Sequence, residues 1–203
     1  MSDTLRTNAN TVLLPVLPLR EVCLFPEASL ASVAATIPAL KALEMAQRSG
    51  GQLLAVAPRD PDLAAWRDLH GVGTLAEVGE DLPLPDASHR VELDGLRRAQ
   101  VLSVIGSDVL VAEVELLEEG DPGEYWGAAV EALARYMHAH AELRSFLELQ
   151  RRSAEPMAWV NLACQHVPIT ASARQKLLES PAAERCMRIA RGLDALLRKE
   201  QGG

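Results

Sequence analysis

The chain has 203 residues, 48% of them apolar and 24% charged, which suits one large domain or two small ones and is too apolar for a disordered chain. No apolar run approaches the ~18–20 residues of a bilayer span, and MSDTLRTNANTV has no apolar core and a single arginine, so neither a membrane span nor a leader is read and the expected compartment is the cytoplasm. The net charge of −8 lies in residues 1–120, with 18 acids against 9 bases, while 121–203 carry 10 against 11; such a front half repels phosphate and offers only Phe25 and Trp66 for stacking, which excludes nucleic acid as the expected partner.

In chain order, Val12–Leu19 alternates loosely and contains Pro15 and Pro18, which predicts an edge or kinked strand. A short apolar stretch ends at Phe25-Pro26, and Leu30–Ala35 predicts a second strand. Thr36 can cap a helix with Pro38 in its first turn, and Ile37, Leu40 and Leu43 recur at helical spacing up to Gly50-Gly51. The unalternating run Leu53–Ala57 suits a strand covered on both faces. Pro58–Trp66 reads as a loop or short turn, and Val72, Thr74, Ala76 and Val78 as one face of a strand. After a polar connection from Gly79 to His89, Val91–Asp94 alternates, Gly95 predicts a bend or bulge, and Val101–Ile105 and Leu110–Leu116 flank a turn at Gly106-Ser107-Asp108. Six or so strands with one inserted helix make a β-rich front module.

The back half reads as helices. Asp121-Pro122-Gly123-Glu124 has the form of a helix start, followed by Val130, Leu133, Met137 and Ala141 on one face. Leu143–Gln150 and Pro156–His166 predict two shorter helices. Thr170 caps a fourth through Leu178, and Ser180-Pro181 opens a last one with Cys186, Ile189, Leu193 and Leu196–Leu197 in its stripe, up to Lys199.

Catalytic patterns are missing from this chain. It contains no phosphate-cradling G-x-x-x-x-G-K-[ST], no H-E-x-x-H and no G-x-S-x-G. Cys23, Cys164 and Cys186 are too far apart for a thiolate zinc site and read as small buried hydrophobes; His138 and His140 point from different faces of a helix and lack a third ligand. The pairs Glu80-Asp81 and Glu118-Glu119 read as solvated turn charges. No metal and no cofactor is expected.

Five ordered stretches resemble the N-terminal, substrate-binding (LON) domain of ATP-dependent Lon proteases. Leu17-Pro18-Leu19-Arg20-Glu21-Val22-Cys23-Leu24-Phe25-Pro26 is similar to its opening, and helix Ile37–Gln47 followed by strand Leu53–Ala57 stands where that family has a helix and a buried strand. Gly71–Val78 looks like its V-G-T strand, Leu84-Pro85-Asp86 followed by Val91–Arg98 like its hairpin, and Pro168-Ile169-Thr170 with Lys176-Leu177-Leu178-Glu179 like its helical part. The resemblance implies an α+β fold: a PUA-like β-barrel with an inserted helix at 12–120, then a C-terminal α-helical subdomain at 121–199, with flexible ends at 1–11 and 200–203. It also implies a free-standing, non-catalytic relative of a recognition domain, since the chain stops at Gln201-Gly202-Gly203 before any ATPase or Ser–Lys peptidase module.

The implied partner is unfolded or misfolded polypeptide, held through an apolar patch, with weak self-association or a partner protease to raise its affinity and no membrane involvement. Leu24, Phe25, Pro26, Leu30 and Trp66 are the candidates for that patch. Arg20, Gly73, Thr74, Gly95 and Arg97 are structural candidates, the two arginines through hydrogen bonds to nearby carbonyls. Two departures thin out the apolar surface: Glu27–Val33 lacks bulky side chains, and the arginine that family usually has before the first helix is absent. The alternative reading is a small-molecule or regulatory protein with a pocket between barrel and helices.

Overall fold

The computed structural model describes residues 11–20, 22–60, 68–150 and 155–201, without the side chains of Leu149, Gln150 and Pro156. Six strands precede five of the six helices: β1 (Thr11–Pro18), β2 (Ser29–Ala34), α1 (Ile37–Arg48), β3 (Gln52–Val56), β4 (Val72–Pro83), β5 (His89–Ile105) and β6 (Val111–Leu116), then α2 (Tyr125–Ala139), α3 (Ala141–Gln150), α4 (Pro156–His166), α5 (Ala171–Glu179) and α6 (Ala182–Gln201). The strands form one mixed sheet in the order β2-β5-β4-β3-β1-β6, and an additional β5–β6 pairing closes five of them into a ring. β1 and β3 run parallel, so the chain between them crosses over through β2 and α1.

β5 makes the closure possible. Its first residues pair with β2 and its last with β6, while β4 runs beside it from His89 to Gln100. The register slips where Leu75 faces Arg97 and Ala76 faces Gly95, which leaves Leu96 as an extra residue beside the glycine at which the sequence predicts a bulge. The polar connection expected from Gly79 to His89 is mostly strand: β4 continues to Pro83, because its last residues pair with Val91, Arg90 and His89.

β1 is interior rather than an edge strand. It pairs with β6 through residues 11–15 and with β3 through 16–18, so each proline is the last residue of a ladder, where a missing N–H is tolerated. β3 is buried on both faces as expected. Leu53 and Ala55 join a large core shared by sheet and helices, while Leu54 and Val56 join a second core inside the ring with Val16, Leu75, Ala112 and Val114.

Thr36 caps α1 by accepting the Ala39 N–H at 3.4 Å, but the buried face is Ala39, Ala42, Leu43 and Ala46, and Ile37 is exposed. Small residues let the helix lie close on β1 and β3. α2 begins four residues after Asp121, whose carboxylate takes the Gly123 N–H in a turn instead, and its buried face (Ala129, Ala132, Leu133, Tyr136) is rotated from the expected one. That alanine-rich face packs along α6. α4 has the expected bounds, Thr170 caps α5 through the Ala173 N–H at 3.2 Å, and α6 continues to Gln201, beyond the expected end at Lys199. The large core contains residues from both halves, from Leu17 to Leu193. Among the described residues no helix is long and apolar enough to cross a membrane.

Candidate functional site

Leu24, Phe25 and Pro26 are buried, Phe25 completely, and Leu30 is partly buried against the large core. Trp66 lies outside the described residues. The expected exposed patch is therefore not formed by Leu24–Pro26: with one phenylalanine available to the sheet half, its ring fills the space between sheet and helices, where burial gains most.

The segment around Phe25 is held by its backbone. Thr74, fully buried on β4, donates from Oγ1 to the Leu24 carbonyl at 2.5 Å, and the Phe25 N–H donates to Oε1 of Gln165 on α4 at 2.9 Å. Glu27 N–H and Gly95 N–H bond to the Gly95 and Ala28 carbonyls, both at 2.8 Å, with Glu27 at φ +67° to make the turn. Gly95 is required by this approach, since a Cβ there would collide with the Phe25 carbonyl. Gly73 serves similarly: its Cβ would stand 2.7 Å from the Ala55 carbonyl oxygen and 2.8 Å from the Val56 Cβ. Gly73 and Gly95 thus admit close backbone approaches, and Thr74 holds the second of them by its hydrogen bond to Leu24.

Of the two arginine candidates, Arg20 is exposed and lines a hollow beside β2. Arg97 pairs at the surface with the Glu118 carboxylate at 2.5 Å, and its neighbour Arg98 makes the carbonyl bonds expected of it. Arg98 is nearly inaccessible; its Nη1 donates to the carbonyls of Leu178 (3.2 Å) and Ser180 (3.1 Å), its Nη2 to that of Glu118 (3.3 Å) and its Nε to Glu119 (3.3 Å). Arg185 on α6, fully buried, donates to Glu119 Oε2 at 2.8 Å, Asn161 Oδ1 at 2.5 Å and the carbonyls of Leu177 and Ser180 at 3.0 Å. Its guanidinium carbon stands 5.9 Å from the Phe25 ring centre. Burial and then the Arg185 charge hold the Arg98 guanidinium below its ordinary value, with Glu119 pulling the other way.

Glu119 is therefore a bracing carboxylate between two arginines rather than a solvated turn charge. Asp81 departs from expectation in the same way, accepting from His89 Nδ1 and Gln47 Nε2, each at 2.7 Å. Sequence reasoning missed Arg185, Asn161, Gln165 and Gln175. One signal was available for Arg185, which falls within the stripe Ala182, Cys186, Ile189 and Leu193 and must share its burial.

Chemistry at the cysteines is suppressed. Burial pushes the thiols of Cys23 and Cys186 up to about 11 and that of Cys164 to about 12, far from the thiolate a nucleophile needs. Among the described residues no three His, Cys, Asp or Glu side chains are placed to hold a metal. A hollow of about 650 Å³ separates the Val22–Cys23 segment and His70 from the start of α5. Several polar groups at its wall form one chain of bonds: Cys23 Sγ donates to Gln175, which donates to the Val72 carbonyl and to Glu179, and Glu179 meets His70 Nδ1 at 3.0 Å, while Arg59 Nε donates to the Leu69 carbonyl at 2.9 Å. A second hollow, of about 530 Å³, runs beside β2 between Pro18 and Arg20 on one wall and Ser32, Val33, Thr36 and Pro38 on the other.

Comparison with known proteins gives one consistent answer. The family model for the ATP-dependent protease La (LON) substrate-binding domain matches residues 13–195. Lon protease 1 of Thermus thermophilus is 31% identical over 98% of this chain, and a Lon protease of Xanthomonas oryzae is 33% identical over 82%. The chain spans about a quarter of the first of these and a fifth of the second, covering 25% and 21% of their lengths. Among solved structures, the N-terminal domain of the Mycobacterium avium complex Lon protease superposes with a TM-score of 0.73 at 21% identity, over 91% of this chain and 98% of that one. A Lon N-terminal domain protein from Xanthomonas campestris gives 0.61 at 20% identity, over 87% and 95%.

Proposed function

Because the chain belongs to the family of the ATP-dependent protease La (LON) substrate-binding domain, we propose that it is a non-catalytic recognition module that holds unfolded or misfolded polypeptide in the cytoplasm. On this reading the ring of strands is a PUA-like barrel, residues 121–199 are a helical subdomain behind it, and the chain carries neither ATPase nor peptidase. The observation that carries the proposal is the arrangement of polar groups. The buried arginines, Glu119, Gln165 and Gln175 are bonded within the protein, whereas the hollow beside β2 is lined mostly by the aliphatic residues Leu17, Pro18, Val33, Ala35, Pro38 and Ala39, with Arg20, Ser32 and Thr36 among them. A small-molecule role in the 650 Å³ hollow has less support, since a ligand there would meet side chains already hydrogen-bonded to one another.

Weak binding follows from the size of such a surface. Covering ~300 Å² of apolar area contributes on the order of 7 kcal/mol gross, and ordering and association remove several of those, leaving micromolar to millimolar affinity. Self-association or a partner protease would raise it through effective concentration. The purified chain is expected to bind reduced, carboxymethylated α-lactalbumin in this range, to ignore native lactalbumin, and to turn over neither ATP nor casein. Turnover of either, or no binding of the unfolded client at millimolar concentration, overturns the proposal.

A further inference from the structure

Each strand of the ring pairs on two sides, but among the described residues β2 pairs only with β5. Its sequence, Ser29-Leu30-Ala31-Ser32-Val33-Ala34, contains no charge and no proline, the two devices by which natural edge strands usually discourage pairing. The 530 Å³ hollow lies against this edge rather than against a face. Its lining includes both Ser32 and Val33, whose side chains point to opposite faces, with Ala35 and Thr36 just beyond them, so it meets the strand along its edge and at its end. Val33 is 60% exposed.

The charge in the hollow is one-sided. Among the described residues Arg20 is the one ionisable residue lining it and has no ion pair, and it is exposed; α1, which opens at the same place, has no acidic residue in its first turn. A cationic site on a chain of net charge −8 is complementary to a carboxylate rather than to an arbitrary peptide.

We propose that the outer edge of β2 at Ser32–Ala34 takes an extended, aliphatic polypeptide segment as an added strand, with an acidic side chain of that segment paired to Arg20. This rests on the polypeptide-binding reading and locates it. Main-chain hydrogen bonds to β2 supply affinity without regard to sequence, as a binder of many unfolded chains requires, and Arg20 supplies a preference among them.

The probes are fluorescein-labelled dodecapeptides of Val, Thr and Ser containing one central Asp, the same peptide with Asn, and the Asp peptide N-methylated at alternate amides. Anisotropy is expected to show the Asp peptide binding about three- to fivefold tighter than the Asn peptide at low salt, a preference that Arg20→Gln removes while the Asn peptide is unaffected. N-methylation and Val33→Lys should each weaken binding about tenfold or more, with circular dichroism unchanged in both variants. Carboxymethylated lactalbumin, measured in parallel, separates the two levels of the argument. If it binds while N-methylation and Arg20→Gln change nothing, strand addition at β2 is wrong and polypeptide binding stands; if neither client nor peptide binds, both fall. A concentration-dependent dimer that Val33→Lys abolishes and peptide does not compete would assign the edge to a second copy of this chain and overturn the proposal.

Discussion

Among the contacts by which the helices meet the sheet, two neighbouring joints differ in kind, one at Leu24–Phe25 and one at Glu119. At the first, shape decides: Phe25 fills an apolar space, and Gly95 and Thr74 let its backbone come within hydrogen-bond range of the strands. At the second, charge decides, since Glu119 at the end of the sheet half receives both Arg98 from β5 and Arg185 from α6. The joints touch where the Arg185 guanidinium faces the Phe25 ring. The shape joint gains free energy directly from burial, whereas the charge joint must first overcome desolvation of three ions and contributes chiefly by fixing where α5 and α6 sit.

That difference can be broken first at Phe25. Phe25→Ala empties a fully buried ring site and is expected to destabilise the protein by about 3–5 kcal/mol in urea unfolding, with no change of oligomeric state. A loss under about 1 kcal/mol would mean that the ring is not the plug. The charge joint responds differently to single and joint removal. Arg185→Met takes the Arg185 donor from Asn161 Oδ1 and leaves Glu119 with Arg98 alone, and should cost about 3 kcal/mol. Replacing Arg98, Glu119 and Arg185 together by apolar residues of similar volume should cost less than the sum of the separate Arg98 and Arg185 replacements, because the desolvation penalty goes with the ions. A triple variant that loses that sum or more would show that the ions themselves stabilise the fold.

Much of the shape joint was legible in the sequence, and little of the charge joint was. A glycine inside an alternating strand marks a place where backbone comes close, so Gly95 could be read as a bulge without knowing what approached it. The run Leu53–Ala57 likewise declares two covered faces. Helix faces were less legible where alanine is common. In α1 and α2 the larger Ile37 and Val130 suggested the stripe, but the sheet and α6 approach closely along alanines and the larger side chains turn outward. Arginines and glutamates are ordinarily solvated, so nothing local distinguishes Arg98 from Arg97 or Glu119 from Glu118; the distinction comes from α5 and α6, some 60 to 80 residues away in sequence. The buried position of Leu24–Pro26 was obscured for a related reason, because what covers them is Gln165 and Arg185 from the far half of the chain.

A weaker effect tests the helical side by pH. His166 at the end of α4 has its Nε2 buried without a hydrogen-bond partner among the described residues, and its ring meets Phe146 edge-on at 4.7 Å. Burial, and then the Arg174 charge, lower its pKa from the ordinary 6.5. The unfolded chain therefore binds the proton more readily than the folded one, so stability is full above the unfolded pKa and falls as pH drops below about 6.5. His166→Phe should flatten that part of the stability–pH curve just below about pH 6.5 while leaving stability at pH 8 within about 1 kcal/mol. An unchanged slope would place the acid sensitivity elsewhere.

The smallest effect is expected one residue away from a large one. Arg97 and Arg98 are adjacent on β5, and both face carboxylates of the same Glu118-Glu119 pair. The Arg97–Glu118 pair stands in solvent, with 39% and 83% of the two side chains exposed, so its Coulomb attraction is screened and its entropy cost is not repaid by burial. Arg97→Ala should therefore change stability by no more than about 0.5 kcal/mol, and less at high salt. Arg98→Ala strands the Leu178 carbonyl on the helical side, leaves the Ser180 carbonyl to Arg185 alone, and should cost several times as much, about 2–3 kcal/mol. Urea unfolding of the two variants side by side measures the ratio. Equal losses would mean that the ion pairs at this end of β5 act as one surface network, and that the buried carbonyl bonds of Arg98 do not set the position of the helices.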